Sequence, residues 1–147
     1  MSTHSTNPEE TNKETVRSLY AAFAACDDRA IDALLTPDFV AHDMPPGYSN
    51  NADGLKRSMR AMHEGLHDCT NEIVAIVADE DKVVTRYVTR ATHGGELFGV
   101  PPSRRAVTLT GMEMFRLALG KVAELWGAYD MSELFAPAEA DTEKAPV

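Results

Sequence analysis

The hydrophobic pattern of this chain changes period near its middle, and that change most limits the folds available to it. Up to about residue 66, apolar side chains recur every three to four residues, as in amphipathic helices. From about residue 71 they alternate with polar ones, as in strands with one buried face. Helices followed by consecutive hairpin-joined strands are typical of an α+β fold with a mostly antiparallel sheet. We therefore predict three N-terminal helices packed on one curved sheet, which forms a cone-like α+β barrel with a closed end and a mouth.

Local signals set the expected bounds of these elements. The first helix begins at Asn7 or at Thr11, because each is followed by Glu three residues later, as in a capping box. The second helix covers 28–35 and ends before Pro37, since proline cannot continue a helix. The third covers 52–66. Strands are predicted at residues 38–43, 71–78, 82–93, 105–117 and 122–131.

The length of the chain fits a single domain. The 147 residues can bury a substantial core. We expect the domain to cover 12–135, with a flexible N-terminus at 1–11 and a flexible C-terminal tail at 136–147, because both ends lack a periodic apolar pattern.

Composition excludes several classes of partner. The net charge of −9 argues against binding to nucleic acid or to an anionic membrane, since both require a positive surface. No apolar run is long enough to span a bilayer, and the first residues do not resemble a signal peptide. Cys26 and Cys69 are too few for a disulfide framework. These features favour a cytoplasmic protein with free thiols, although one bridge between the two cysteines stays open.

The last predicted strand carries an unusual pair of side chains. In the segment Val122–Met131, alternation places the only Trp of the chain, Trp126, on the same face as Asp130. A carboxyl group beside apolar bulk loses hydration, and its pKa then rises towards values useful for proton transfer. We expect Asp130 to point into the cone with a pKa above that of a free Asp. The alternative is a strand end at which Asp130 faces water.

One motif resembles a zinc site. The run His63-Glu64-Gly65-Leu66-His67 matches the His-Glu-x-x-His pattern of zinc proteases. That pattern requires a stable helix carrying both His on one face and a third ligand downstream. Here Gly65 weakens a helix that is about to end, and no matching downstream ligand follows. We therefore expect no metal at this motif.

Three further patterns, together with the order of elements, resemble the SnoaL-like polyketide cyclase family. They are Asp38-Phe39-Val40-Ala41-His42, the run from Thr92 to Pro102 with its Thr-His-x-Gly and Gly-x-Pro-Pro parts, and Gly120-Lys121-Val122-x-Glu124-x-Trp126-x-x-x-Asp130. The resemblance covers residues 12–135 and implies the cone-shaped fold shared with ketosteroid isomerase. It also implies activity on a hydrophobic polyketide-like or polycyclic small molecule, by aldol-type ring closure without metal or organic cofactor.

The resemblance assigns a role to Asp130, and the chemistry of the reaction suggests partners for it. Asp130 matches the family's general acid–base residue, and His42 or His93 would hydrogen-bond the carbonyl on which charge develops. The expected catalytic residues are therefore Asp130, His42 and His93, and the expected substrate-binding residues are Trp126, Phe98, Tyr20 and Met112. Each His could instead be a satisfied structural residue, and Glu124 is more simply an exposed or ion-paired strand residue.

Two expectations concern assembly and motion. The face of the last strand that carries Leu125, Tyr129 and Met131 is too apolar to remain wet, so we expect a homodimer or homotetramer through it. Phe98, in the glycine-rich loop 94–104, is expected to form a mobile lid over the mouth.

The alternatives to a cyclase or isomerase are a hydrolase or hydroxylase on the same scaffold, and a non-catalytic pocket protein that binds a small molecule.

Overall fold

A sheet of five strands wraps around helices that precede it in the chain. A computed structural model describes residues 7–136. The helices and strands are α1 (Pro8–Ala24), α2 (Asp28–Leu34), β1 (Leu35–Ala41), α3 (Ala52–Gly65), β2 (Leu66–Asp79), β3 (Lys82–His93), β4 (Ala106–Ala118), β5 (Lys121–Asp130) and α4 (Ser132–Phe135). The predicted α+β class is confirmed, with a short fourth helix that the sequence pattern did not indicate.

The strands lie in the order β1-β5-β4-β3-β2. The strands from β2 to β5 are joined as antiparallel neighbours, whereas β1 pairs with β5 in parallel. Side chains of α1, α2 and α3 pack on one face of this sheet, where they form a single apolar cluster with strand residues such as Val83, Phe115 and Leu125. The helices therefore cover one face of the sheet, and within residues 7–136 no helix covers the opposite face.

The start of α1 is determined by a side-chain cap. Asn7 Oδ1 accepts hydrogen bonds from the backbone N–H groups of Glu9 (3.0 Å) and Glu10 (3.2 Å), and Pro8 occupies the first helical position. Of the two predicted starts, the structure has the earlier. Residues 8–11 are thus helical, which corrects the expected flexible segment 1–11. Residues 1–6 and 137–147, the other parts assigned to flexible ends, lie outside the described residues.

Strand β2 begins five residues earlier than predicted. It starts at Leu66, directly after α3, and Leu66 pairs with His93 on β3. Polar residues fill the segment 67–72, so the alternation there is weak. The pairing partner on β3, rather than the segment's own hydrophobicity, fixes it as a strand.

A β-bulge in β5 determines which side chains face the helices. Leu117 on β4 pairs with Val122, but its neighbour Arg116 pairs with Glu124, so Ala123 is an extra residue on β5. Each extra residue reverses the side on which the following side chains lie. Val122 therefore faces the core, as does Leu125 beyond the bulge. From Glu124 onwards, the even-numbered side chains point away from the helices.

The outer face of the sheet carries a row of apolar side chains. Across the four strands β2 to β5, Val77 pairs with Val84, Val84 with Met114, and Met114 with Trp126. Val77 is 59% exposed. This row is the apolar surface of the sheet that no described helix covers. Among the described residues, no helix is long and apolar enough to cross a membrane.

Candidate active site

A cavity of about 260 Å³ opens between the helices and the concave face of the sheet. This volume is comparable to the lower end of the roughly 300–1,000 Å³ found for small-molecule pockets. Its walls are largely apolar and come from α1, α3 and the strands, with Leu19, Phe23, Met62, Leu66, Phe115 and Leu125 among them. The cavity suits the apolar body of a small organic molecule.

A carboxyl group lies inside this apolar cavity. Glu113 of β4 lines it, and both carboxyl oxygens are hydrogen-bonded: Tyr20 Oη donates to Oε1, and Tyr129 Oη donates to Oε2 at 2.7 Å. Burial raises the pKa of Glu113, and the two phenol donors oppose that rise by stabilising the charged form. The result is a carboxyl group with a raised pKa that still has donors to hold it as a carboxylate.

Three tyrosines surround this carboxyl group. Burial, and then the negative charge of Glu113, raise the pKa of Tyr20, Tyr87 and Tyr129 well above the usual value for a phenol. All three phenols therefore keep their protons at neutral pH. Because the Tyr20 proton goes to Glu113, the contact of 2.7 Å between Tyr20 Oη and Thr85 Oγ1 has Thr85 as donor.

Two strand glycines make room for the tyrosine rings. A Cβ atom on Gly111 would lie 2.6 Å from Cε2 of Tyr87, and one on Gly127 would lie 2.0 Å from Oη of Tyr129. Gly111 pairs with both Tyr87 and Tyr129 on the neighbouring strands, and Gly127 pairs with Glu113. Each ring thus leans over a glycine, which is how strand glycines permit close approach.

Sequence reasoning missed Glu113, although a signal for it exists. The inward positions of β4 are Val107, Leu109, Gly111, Glu113, Phe115 and Leu117. Glu113 is the single charged residue in that alternating row. A carboxylate among residues of a buried face is unusual enough to mark a site. The alternation of β4 carries this signal without any bulge to disturb it.

Asp130 does not lie where the sequence predicted. It is exposed at the end of β5, and it is not among the residues lining the cavity. Its Oδ1 accepts hydrogen bonds from the backbone N–H (3.0 Å) and hydroxyl (2.7 Å) of Ser132, and these bonds lower its pKa. The expected raised pKa is therefore wrong. Asp130 orders the turn into α4, and the bulge at Ala123 is the reason that its side chain faces outwards.

Trp126, His42 and Met112 are also outside the cavity. The rings of His42 and Trp126 stack with centroids 4.9 Å apart and planes 8° from parallel. His42 Nε2 lies 2.9 Å from Glu124 Oε2, and Arg116 Nε donates to Glu124 Oε1 at 2.5 Å, so Glu124 is ion-paired. These contacts lower the pKa of Glu124. Met112 is 50% exposed on the outer face. All three residues were predicted to lie in the pocket, and the structure places them outside it.

The remaining predicted residues divide between core and cavity. His93 is completely buried, its Nδ1 accepts from the backbone N–H of Ser103 at 3.4 Å, and it does not line the cavity. Its Nε2 is buried and has no hydrogen-bond partner among the described residues, so His93 is not the fully satisfied structural residue that was the alternative to a site role. Of the residues predicted to bind substrate, Tyr20 and Phe98 line the cavity. By contrast, Leu125, Tyr129 and Met131 line the cavity instead of forming an outer surface.

The His-Glu-x-x-His motif is divided between two elements. His63 lies near the end of α3, and its Nε2 contacts the carbonyl oxygen of Phe23 at 2.8 Å. His67 lies in β2, and its Nε2 contacts the carbonyl oxygen of Glu64 at 3.1 Å. The two imidazoles therefore do not share a helix face. Within residues 7–136, no three His, Cys, Asp or Glu side chains converge in a way that could hold a metal ion.

Residues 13–137 match the sequence model of the SnoaL-like polyketide cyclase family. Among solved structures, the chain is 31% identical to IdmH, a candidate polyketide cyclase from Streptomyces antibioticus, with a TM-score of 0.72 over 84% of this chain and 97% of that one. It is 27% identical to AclR, a candidate hydroxylase from Streptomyces galilaeus, with a TM-score of 0.75 over 88% and 99% of the two chains.

A more distant structure shares the fold alone. An LEH-like epoxide hydrolase of M. tuberculosis is 18% identical, with a TM-score of 0.64 over 87% of this chain and 89% of that one. No curated protein sequence matches the chain.

Proposed function

The chain belongs to the SnoaL-like polyketide cyclase family, and on that premise we propose that it is a cofactor-independent cyclase or isomerase. Its substrate is a hydrophobic, polyketide-like small molecule, and its reaction is a proton transfer next to a carbonyl group, as in aldol-type ring closure. The observation that carries this proposal is the carboxyl group of Glu113, held by two tyrosines inside an apolar cavity.

Glu113 is the acid–base residue of this mechanism. Burial raises its pKa, so its carboxylate is a stronger base than that of an ordinary Glu near neutral pH. It takes the proton from a carbon beside the substrate carbonyl and then returns it to the oxygen formed on ring closure. Tyr20 and Tyr129 keep the carboxylate in place while it does so, because each donates to a different carboxyl oxygen.

The cavity walls define the substrate. Apolar side chains such as Phe23, Met62 and Phe115 would pack on fused rings or a folded carbon chain, and they keep water away from the carboxylate. Phe98 lines the cavity and contacts Tyr48 edge-on, with 6.0 Å between the ring centroids, so the loop 94–104 touches the loop 44–51 beside the cavity. We expect this contact to open when substrate enters.

A second candidate reaction is hydroxylation, which the likeness to AclR favours. The two reactions differ in their use of oxygen. A hydroxylase consumes dioxygen, whereas proton transfer at carbon proceeds equally well without it. Anaerobic turnover therefore separates the two candidates.

The proposal also covers the assembly of the enzyme, its location and its need for cofactors. We propose a homodimer formed through the apolar row Val77, Val84, Met114 and Trp126 on the outer face, which replaces the surface expected from the sequence. We also propose a cytoplasmic location and a reaction that needs neither a metal nor an organic cofactor.

The test uses 2-tetralone, a bicyclic ketone with acidic C–H groups beside its carbonyl. In D₂O, the wild-type protein should exchange these protons for deuterium faster than buffer does, as followed by proton NMR. Glu113→Gln has a similar shape but cannot carry the proton, and should lose roughly 10²–10⁴-fold in exchange rate. Glu124→Gln, a matched change on the outer face, should keep the wild-type rate. Exchange that survives in Glu113→Gln would refute the proposal.

A further inference from the structure

One phenol in the cavity has a hydroxyl proton that no described protein group accepts. Tyr20 and Tyr129 both donate to Glu113, whereas the hydroxyl group of Tyr87 makes no hydrogen bond within the described part of the chain. Tyr87 nevertheless lines the cavity. A phenol that is largely removed from water and has no protein partner is available to donate to a ligand.

The strand register places Tyr87 next to the reacting carboxyl group. Thr85 on β3 pairs with Glu113 on β4, and Tyr87 is the next inward residue along β3. Its ring meets the edge of Tyr20 at 5.7 Å between centroids, with the planes 68° apart. The negative charge of Glu113 contributes to the raised pKa of Tyr87, which also indicates that the two groups are close.

The Tyr87 ring occupies the space that a side chain at position 111 would take. Gly111 pairs directly with Tyr87, and a Cβ atom there would lie 2.6–2.7 Å from the Cε2, Cζ and Oη atoms of the ring. The hydroxyl end of the ring thus rests over a position that has no side chain. A larger residue at 111 would displace the hydroxyl group from its present position.

We propose that Tyr87 is the donor that holds the carbonyl oxygen of the substrate while Glu113 removes a proton from the adjacent carbon. This inference rests on the proposed function and assigns its second catalytic residue. In the step, the C–H bond breaks and its proton passes to Glu113. The electron pair forms a C=C bond, and the carbonyl oxygen becomes an enolate oxygen that accepts the hydrogen bond from Tyr87. No oxidant or reductant takes part, and the ligand class is an enolisable ketone or ester with an apolar body.

Asn71 is the strongest competing donor, since it also lines the cavity. Its Oδ1 accepts a hydrogen bond from Thr89 Oγ1 at 2.6 Å, so its side-chain N–H groups are left for a ligand. Asn71 pairs with Thr89, whereas Tyr87 lies two residues nearer to the pair formed by Thr85 and Glu113. Two residues along a strand correspond to roughly 7 Å. Tyr87 therefore reaches a carbonyl beside Glu113 with less displacement.

The experiment compares 2-tetralone with tetralin, the hydrocarbon of the same ring skeleton that has no carbonyl group. Tyr87→Phe should weaken the binding of 2-tetralone roughly 2- to 10-fold, the effect of one neutral hydrogen bond, and leave the binding of tetralin unchanged. It should also move the carbonyl stretch of bound 2-tetralone to higher frequency in the infrared spectrum. Proton exchange should fall about 10²–10³-fold, as expected when one donor to a developing oxyanion is lost.

Two control variants complete the design. Thr110→Val removes a hydroxyl group from the outer face of β4, where Thr110 pairs with the exposed Asp130, and should leave affinity, carbonyl frequency and exchange at wild-type values. Gly111→Ala should reproduce the effects of Tyr87→Phe through displacement of the ring, with circular dichroism showing that the variant is folded.

The carbonyl stretch separates failure of this inference from failure of the proposed function. If Tyr87→Phe keeps the wild-type carbonyl frequency and exchange rate while Glu113→Gln loses exchange, the role of Tyr87 is wrong and the function of Glu113 stands. If the wild type fails to exchange but Tyr87→Phe still shifts the carbonyl stretch, Tyr87 is the carbonyl donor and the proposed reaction is wrong. A wild-type pocket without preference for 2-tetralone over tetralin overturns the inference.

Discussion

Removing the phenol of Tyr129 should make Glu113 harder to ionise. The Tyr129 hydroxyl donates to Oε2 of Glu113 at 2.7 Å, and this bond lowers the pKa of a carboxyl group that burial raises. A hydrogen bond to a charged group contributes about 1.5–3 kcal/mol, and about 1.36 kcal/mol corresponds to one pH unit. In Tyr129→Phe, the titration midpoint of Glu113 should therefore move upwards by roughly 1–2 pH units.

Carbon NMR of the Glu side-chain carboxyl groups measures this shift without a substrate. Protein labelled with ¹³C at Glu shows the Glu113 signal as the one absent from Glu113→Gln. That signal is then followed against pH in wild type, in Tyr129→Phe and in the control Tyr48→Phe. A midpoint in Tyr129→Phe that equals that of the wild type, or lies below it, would refute the reasoning that Tyr129 stabilises the carboxylate.

Three further results are expected. The folded-state pKa of Glu113 is raised above its ordinary value of 4.5. The contribution of protonated Glu113 to the free energy of unfolding is therefore fully present below about pH 4.5, and it is lost as pH rises through the folded pKa. Urea unfolding should thus show that Glu113→Gln gains stability over the wild type as pH rises, with a constant difference below pH 4.5; a gain that shrinks with pH would be contrary evidence. The emission of Trp126 should stay unchanged on saturation with 2-tetralone, since the indole lies on the outer face; strong quenching would place the ligand there instead. Light scattering should give a dimer mass for the wild type and a monomer mass for Met114→Lys, which puts a charge in the middle of the apolar row, and a monomeric wild type would remove the proposed interface.

The period of the hydrophobic pattern predicted much of the fold. The switch from helical to strand spacing was enough for the α+β class, and strong alternation gave the bounds of β3 as they are in the structure. The start of β2 at Leu66 was missed because its polar first residues pair with β3 across a long separation in sequence. Pairing with a distant strand is not visible in the local pattern.

The candidate site was harder to predict because a single bulge controls it. Simple alternation through Val122–Met131 placed Trp126 and Asp130 inside, and the extra residue Ala123 reverses that assignment. Nothing in the local composition marks the bulge, since Val122 and Ala123 are both apolar and both buried. On β4, where no bulge intervenes near the site, the same rule would have found Glu113. The carboxylate expected inside on β5 thus lies on β4 instead.

A direct comparison of the two carboxylates tests the central claim. Glu113→Gln and Asp130→Asn each replace an acid by its amide, and Asn at 130 can still accept the hydrogen bonds from Ser132, so both variants should fold. The measurement is the rate of deuterium exchange into 2-tetralone under identical conditions, with circular dichroism as the check on folding. We predict a loss of roughly 10²–10⁴-fold for Glu113→Gln and a rate close to wild type for Asp130→Asn. The reverse pattern, with exchange lost in Asp130→Asn and kept in Glu113→Gln, would contradict the assignment of Glu113 as the acid–base residue.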